Sequence, residues 1–200
     1  MTLTAELRRR IVGTTTGLFA HAPYPLENSL EHEGDPGLFG PDSITWSVIG
    51  DVATFAGGIR ALLVQAAHQE VAAGVADQSR YRDDPLGRLS RTSAYVTATA
   101  FGAMPEVEHA VELVRRAHQP VRGKSHRNRA YSANHPAQAA WVHNVLTESF
   151  LPTHLLSAKR RLTADVADEF VREHTAVGRL LGSDPLPATA RDLTTWVVDH

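Results

Sequence analysis

Two histidines on one predicted helix face different surroundings. Residues 104–118 predict a helix that begins at Pro105. Steps of three and four residues place His118 on an apolar face and His109 on the opposite face, among glutamates. The apolar face is completed by Val107, Val111 and Val114. A buried imidazole needs a partner, and a metal ion is one of the best available. We therefore predict that His118 is sequestered as a metal ligand and that His109 lies in water.

The preceding helix carries a polar face that could line a pocket. Its members follow each other at steps of four, three and four residues: Arg88, Thr92, Tyr95 and Thr99. Arg91 lies about a quarter turn away. A guanidinium beside hydroxyl groups could bind an anionic ligand group, such as a carboxylate or a polarised oxygen. The alternative is an internal salt-bridge network that joins helices.

Two further histidines lie among apolar positions of other predicted helices. His68 is surrounded by alanine and valine, and His143 lies near Leu146 and Phe150. A lone core histidine is commonly bonded to a backbone carbonyl, which is the alternative for both. Together with His118, three helices each bring one histidine toward the expected core.

The amino-acid composition excludes several kinds of cofactor and metal site. The 200 residues predict one domain with an ample core. The chain has 11 histidines and no cysteine, which excludes disulfides, thiolate zinc sites, iron–sulfur clusters and thiolate-ligated haem. A net charge of -2 gives no general attraction to nucleic acid. No apolar run is long enough to span a membrane, and no secretory signal is evident. We therefore expect a cytoplasmic protein.

Other catalytic patterns are missing or incomplete. A ferritin-like di-iron site needs two Glu-x-x-His motifs, and only the one ending at His109 is present. The zincin motif, a phosphate-binding glycine loop and a nucleophile elbow do not occur. Residues 122–129 form a basic loop that could contact nucleic acid, stay solvated or reach toward cofactor carboxylates. Nucleic-acid binding ranks last because the overall charge is acidic.

Hydrophobic periodicity predicts an all-α fold with roughly six to eight helices in a single globular domain around a buried cofactor pocket. Residues 1–42 read as a largely looped lead-in after a short helix. Asp42 or Ser43 should cap a helix that Gly57 and Gly58 end, followed by a helix over residues 59–76. Further helices are predicted from Asp84 to about residue 102, from Pro136 past residue 150, over 164–181 and over 187–200.

The last predicted helix lacks a glycine cap at its end. We therefore expect that the chain was cut short of a natural boundary or that its end docks on a neighbour. Amphipathic helices in this part could also pair with a second copy.

Four motifs in order resemble a known family. They occupy residues 62–75, 88–92, 114–121 and 131–143, the last containing Tyr-Ser-Ala-Asn-His-Pro and Trp-Val-His. Together they resemble the catalytic domain shared by latex-clearing-protein rubber oxygenases and MpaB-like oxygenases of the mycophenolic acid pathway. The resemblance covers about residues 35–195 and implies an all-α domain that binds haem b.

The resemblance assigns roles to matching residues. His118 corresponds to the proximal haem ligand, and Arg88 and Thr92 correspond to polar residues near the reacting oxygen. Arg91 stands where some relatives place a lysine that ligates the iron in a closed state; a guanidinium is a poor iron ligand, so no such state is expected. Glu70 is the nearest candidate for the family's proposed catalytic glutamate. Gln69 stands where many relatives have proline, so rubber is not the expected substrate.

These arguments combine into one prediction of the site. We expect catalytic roles for Arg88, Thr92 and His68. We expect haem contacts from His118, Arg88, Arg91, Thr92 and His143, with iron ligation by His118. The chain would be a haem b-dependent oxygenase that uses O₂ or peroxide on a hydrophobic or natural-product-like small molecule. The alternative is a non-catalytic helical ligand-binding or scaffold protein of the same fold.

Overall fold

A computed structural model describes Glu6 and residues 23–79, 82–157 and 163–200, and the predicted N-terminal helix lies outside these residues. The described chain is mostly helical, which confirms the all-α prediction. A short 3-10 helix, Ser29–His32, precedes eight α-helices. They are α1 (Ile44–Ile49), α2 (Thr54–Gln65), α3 (Gln69–Gln78), α4 (Pro85–Phe101), α5 (Met104–His118), α6 (Pro136–Ser157), α7 (Ala164–Leu180) and α8 (Ala190–Asp199).

Side-chain caps fix where several helices begin. The Ser43 hydroxyl accepts the backbone N–H of Trp46 at the start of α1, and an Asp84 carboxylate oxygen accepts that of Gly87 at the start of α4. Both residues were predicted as caps, because short polar side chains satisfy the free N–H groups of a first turn. The predicted start of α6 at Pro136 is also confirmed.

Two predicted helix boundaries are wrong. Gly57 and Gly58 lie inside α2 rather than ending a helix. A Cβ on Gly57 would lie 2.7 Å from Thr153 Oγ1 and 2.9 Å from the Ser149 carbonyl, so this glycine lets α2 approach α6 closely. The predicted helix over residues 59–76 is divided, since α2 ends at Gln65 and α3 begins at Gln69.

The basic loop contains a small antiparallel hairpin that periodicity did not predict. Strand β1 (Arg122–Lys124) pairs with β2 (Ala130–Ser132), and Gly123 faces Tyr131. A Cβ on Gly123 would meet the Tyr131 hydroxyl at 2.6 Å, so glycine makes room for that ring. The Tyr131 hydroxyl donates to Asp77 Oδ2 at 2.6 Å, which fastens the hairpin to α3.

Helix α6 lies at the centre of the packing. It contacts α2, α7 and α8, while α4 and α5 pack against each other as a hairpin. One buried cluster joins α1, α6, α7 and α8 and consists of Val48, Phe150, Leu151, Phe170, Val171 and Leu193. A second joins α2 to α6 through Ala61, Trp141 and Val145. Arg60 on α2 forms an ion pair with Glu148 on α6.

Within the described part of the chain, none of the helices combines the length and the apolar character that crossing a bilayer requires.

Candidate functional site

The predicted contrast between the two histidines of α5 is present in the structure. Val107 and Val111 are buried on one face and His118 is half-buried at its end, whereas His109 is exposed. Burial lowers the pKa of His118 below its ordinary value. No hydrogen bond or ion pair to its ring occurs in the described ranges. His118 is therefore a largely neutral imidazole at pH 7, with a lone pair that no group of the described residues uses.

Glu106 departs from the expected polar face of α5. Its side chain is only 8 % exposed, because it folds back to accept the backbone N–H of Ala103 at 3.0 Å. This is the carboxylate half of a capping box, which satisfies a free donor at the helix start.

The predicted polar face of α4 divides into two halves. In the first half, the Arg88 guanidinium donates to Ser79 Oγ at 3.4 Å and the Thr92 hydroxyl donates to the Arg88 carbonyl at 3.0 Å. In the second half, the Thr99 hydroxyl donates to the Tyr95 carbonyl, while the Tyr95 hydroxyl is buried without a partner. The second half, Tyr95 and Thr99, lines the cavity described below.

Arg91 lies at the exposed start of α4. Its guanidinium is 3.4 Å from an Asp84 carboxylate oxygen, and its side chain is 55 % exposed. A solvated pair of this kind contributes little to stability, so Arg91 remains able to pair with another anion.

His68 caps a helix. Its Nδ1 accepts the backbone N–H of Val71 at 3.3 Å at the start of α3. The same nitrogen lies 3.6 Å from a Glu70 carboxylate oxygen. A nitrogen that accepts an N–H carries no proton, and the longer distance exceeds that of a hydrogen bond, so the cap is the operative contact. The predicted catalytic role of His68 stays a prediction.

Glu70, the nearest match to the family's glutamate, is 9 % exposed. Its Oε1 accepts a hydrogen bond from the Ser125 hydroxyl at 3.4 Å, which ties α3 to the hairpin.

A cavity lies where α4, α6 and α7 meet, and we call it the α4–α6–α7 cavity. Its polar lining consists of Thr45, Tyr95, Thr99, His143 and His174, and the rest of its lining is apolar. The space open to a water-sized molecule is about 20 Å³, slightly more than one water needs. Among the described residues, no Asp, Glu, Lys or Arg side chain lines it.

The side chains of His143 and His174 both contact Thr147 in the cavity wall. The Thr147 oxygen lies 3.4 Å from His143 Nε2 and 3.5 Å from His174 Nδ1, and its hydroxyl donates to the His143 carbonyl at 3.0 Å. Gly178 makes room for the His143 ring, since a Cβ there would lie 2.9 Å from His143 Cδ2. The His174 ring stacks on Phe39, meets Phe150 edge-on and lies tilted against Phe170.

Burial keeps both imidazoles neutral. It lowers the pKa of His143 to about 4, partly offset by a hydrogen bond with the backbone of His174. It lowers the pKa of His174 to about 3, and the neighbouring His143 lowers it further. Burial also raises the pKa of Tyr95, against the opposing field of Arg115, so the phenol stays protonated.

One of the predicted site residues lines this cavity. His143 lines the α4–α6–α7 cavity, whereas the other five predicted residues are absent from its lining: His68, Arg88, Arg91, Thr92 and His118. The predicted haem contact of His143 stays a prediction. In residues 23–79, 82–157 and 163–200, no group of three or more His, Asp or Glu side chains is arranged to hold a metal ion.

His174 is the cavity residue that sequence reasoning missed. It follows Phe170 by four residues and precedes Val177 by three, which is the same spacing that singled out His118. The signal was therefore present in α7.

Comparison with known proteins gives one match. Residues 46–200 match the family model described as "ER-bound oxygenase mpaB/B'/Rubber oxygenase, catalytic domain". No curated protein and no solved structure matches the chain.

Proposed function

The chain belongs to the family of the mpaB/B' and rubber oxygenase catalytic domain, and on that premise we propose that it is a haem b-dependent oxygenase. Its substrates would be a hydrophobic small molecule and O₂ or peroxide. The family match over residues 46–200 confirms the predicted resemblance and indicates oxygenase chemistry.

One observation carries the haem proposal. His118 presents a half-buried, neutral imidazole to which no residue in the described part of the chain donates or accepts a hydrogen bond. An imidazole that would hold haem iron must be neutral and must have a free lone pair, so the donor chemistry fits. The α4–α6–α7 cavity, with room for about one water, is far too small for a porphyrin. The proposed haem site is therefore beside His118 rather than in that cavity.

Polar groups of α4 would complete the site. Arg88 and Thr92 would orient a polar group of the substrate, because a guanidinium donates hydrogen bonds and the Thr92 oxygen keeps lone pairs that accept them. Arg91, or the exposed arginines of the β1–β2 hairpin, would pair with haem carboxylates. A haem bound there would supply the oxidation chemistry with O₂ or peroxide.

The test is a titration of the purified protein with haemin, followed by absorption spectroscopy before and after addition of dithionite. The proposal expects a Soret band that saturates at one haemin per chain and shifts on reduction. It also expects O₂ or peroxide consumption with a hydrophobic test substrate. A colourless protein that takes up no haemin would instead support the helical ligand-binding or scaffold alternative.

A further inference from the structure

Two buried polar atoms next to the α4–α6–α7 cavity have no hydrogen-bond partner in the part of the chain that the structure describes. They are the Tyr95 hydroxyl and His174 Nε2, and both residues line the cavity. His174 is only 6 % exposed. An unpaired polar atom in such surroundings is destabilising, so a native fold rarely keeps two in one place without something between them.

The donor and acceptor roles of the two atoms are complementary. The single proton of the Thr147 hydroxyl is directed to the His143 carbonyl. Its contact with His174 at 3.5 Å therefore needs a proton on His174 Nδ1, which leaves Nε2 as a bare acceptor. The protonated Tyr95 phenol is a donor. A hydroxyl group is the smallest chemical group that satisfies both, because it accepts from one and donates to the other.

Size and charge limit the occupant. The space of about 20 Å³ admits one water-sized molecule. An anion would find no cation in the lining, and two neutral imidazoles cannot neutralise it.

We propose that the α4–α6–α7 cavity binds one small neutral hydroxyl-bearing molecule, water or hydrogen peroxide, which accepts a hydrogen bond from Tyr95 and donates one to His174. The site is independent of His118 and of haem, so it exists in the protein without cofactor.

A double-mutant cycle on the cofactor-free protein tests this. Tyr95→Phe removes the hydroxyl alone. His174→Asn keeps a polar group near the Nδ1 position and removes Nε2, whereas the control His174→Gln keeps one near the Nε2 position. The readout is the denaturant midpoint of each variant.

If one molecule bridges the two side chains, Tyr95→Phe and His174→Asn each lower the midpoint, and the double variant lowers it by less than their sum. His174→Gln lowers it less than His174→Asn. If both atoms are truly unpaired, Tyr95→Phe removes a buried orphan and raises the midpoint, and the two effects add. That result overturns the proposal.

The ¹⁵N resonances of the histidine side chains then distinguish the two possible occupants, water and hydrogen peroxide. A His174 resonance that shifts and saturates as hydrogen peroxide is added to the wild-type protein, but not to Tyr95→Phe, identifies peroxide as an occupant. An unchanged resonance, together with a non-additive cycle, identifies water.

Discussion

The molecule holds imidazoles in two settings that share helix α4. At the end of α5, His118 is half-buried and has no hydrogen-bond partner among the described residues, and Arg88 and Thr92 lie on the neighbouring helix α4. In the second setting, His143 and His174 lie in a cavity wall, where burial lowers their pKa to about 4 and 3. In our proposal the open setting beside His118 accepts haem, whereas the closed one has room for about one water. Both settings contain the same residue type, histidine, and they differ in how far the imidazole is enclosed.

The largest expected effect is acid destabilisation through the closed setting. The folded-state pKa of His174 and His143 lies below the ordinary value of 6.5. Below pH 6.5 the unfolded chain therefore binds more protons than the folded protein. The contribution of the two imidazoles to stability is fully present above pH 6.5 and is lost as the pH drops toward 4. Each imidazole lowers the free energy of unfolding by about 1.4 kcal/mol per pH unit in this range, or by roughly 3 kcal/mol at pH 4.

Denaturation of the wild type and His174→Phe between pH 7 and 5 measures this effect. The variant should lose about half of the slope in unfolding free energy against pH. Equal slopes would mean that His174 does not stay neutral in the folded state, and the contrast between the two settings would fail.

A smaller loss of stability is expected when a side chain is added next to the buried histidines of the closed setting. An alanine Cβ at Gly178 would lie 2.7 Å from Leu186 Cδ2 and 2.9 Å from His143 Cδ2. Gly178→Ala should therefore destabilise the protein by about 1–3 kcal/mol. The matched control is Gly58→Ala in α2, where nothing lies within 4 Å of the added Cβ and stability should rise by about 0.5–1 kcal/mol.

Thermal unfolding of both glycine variants gives the comparison, and haemin uptake should be the same for both. Loss of haemin uptake in Gly178→Ala alone would show that the two settings are not independent.

The smallest stability effect concerns His68 and α3. If His68 acts as a helix cap, His68→Ala should cost about 1 kcal/mol, while His68→Asn should restore most of it, since asparagine is a good cap. Denaturant midpoints and turnover measured on the same samples separate a cap from a catalytic group. Turnover lost equally in both variants, with unchanged midpoints, would favour the predicted catalytic role instead.

Local signals in the sequence predicted much of this fold. Ser43 and Asp84 marked helix starts because their side chains satisfy N–H groups in the next turn. The opposed positions of His118 and His109 followed from helical geometry alone. The same rule applied to α7 would have identified His174.

Other features depend on contacts between distant segments. Gly57 lies inside a helix because α6 passes close to it, and no local signal reports that approach. His68 is not among the usual cap residues, so the break before α3 was missed. The α4–α6–α7 cavity needs Phe39 and four helices to assemble, α1 included, and periodicity cannot say which helices meet.

The most direct test of the haem assignment compares two histidines on the same helix. His118→Ala and His109→Ala each remove one imidazole from α5, and only the first removes a half-buried one. Both variants, shown to be equally helical by circular dichroism, are titrated with haemin. The account predicts that His118→Ala forms no Soret band above that of free haemin and that His109→Ala forms the full wild-type band. A full band in His118→Ala would contradict it.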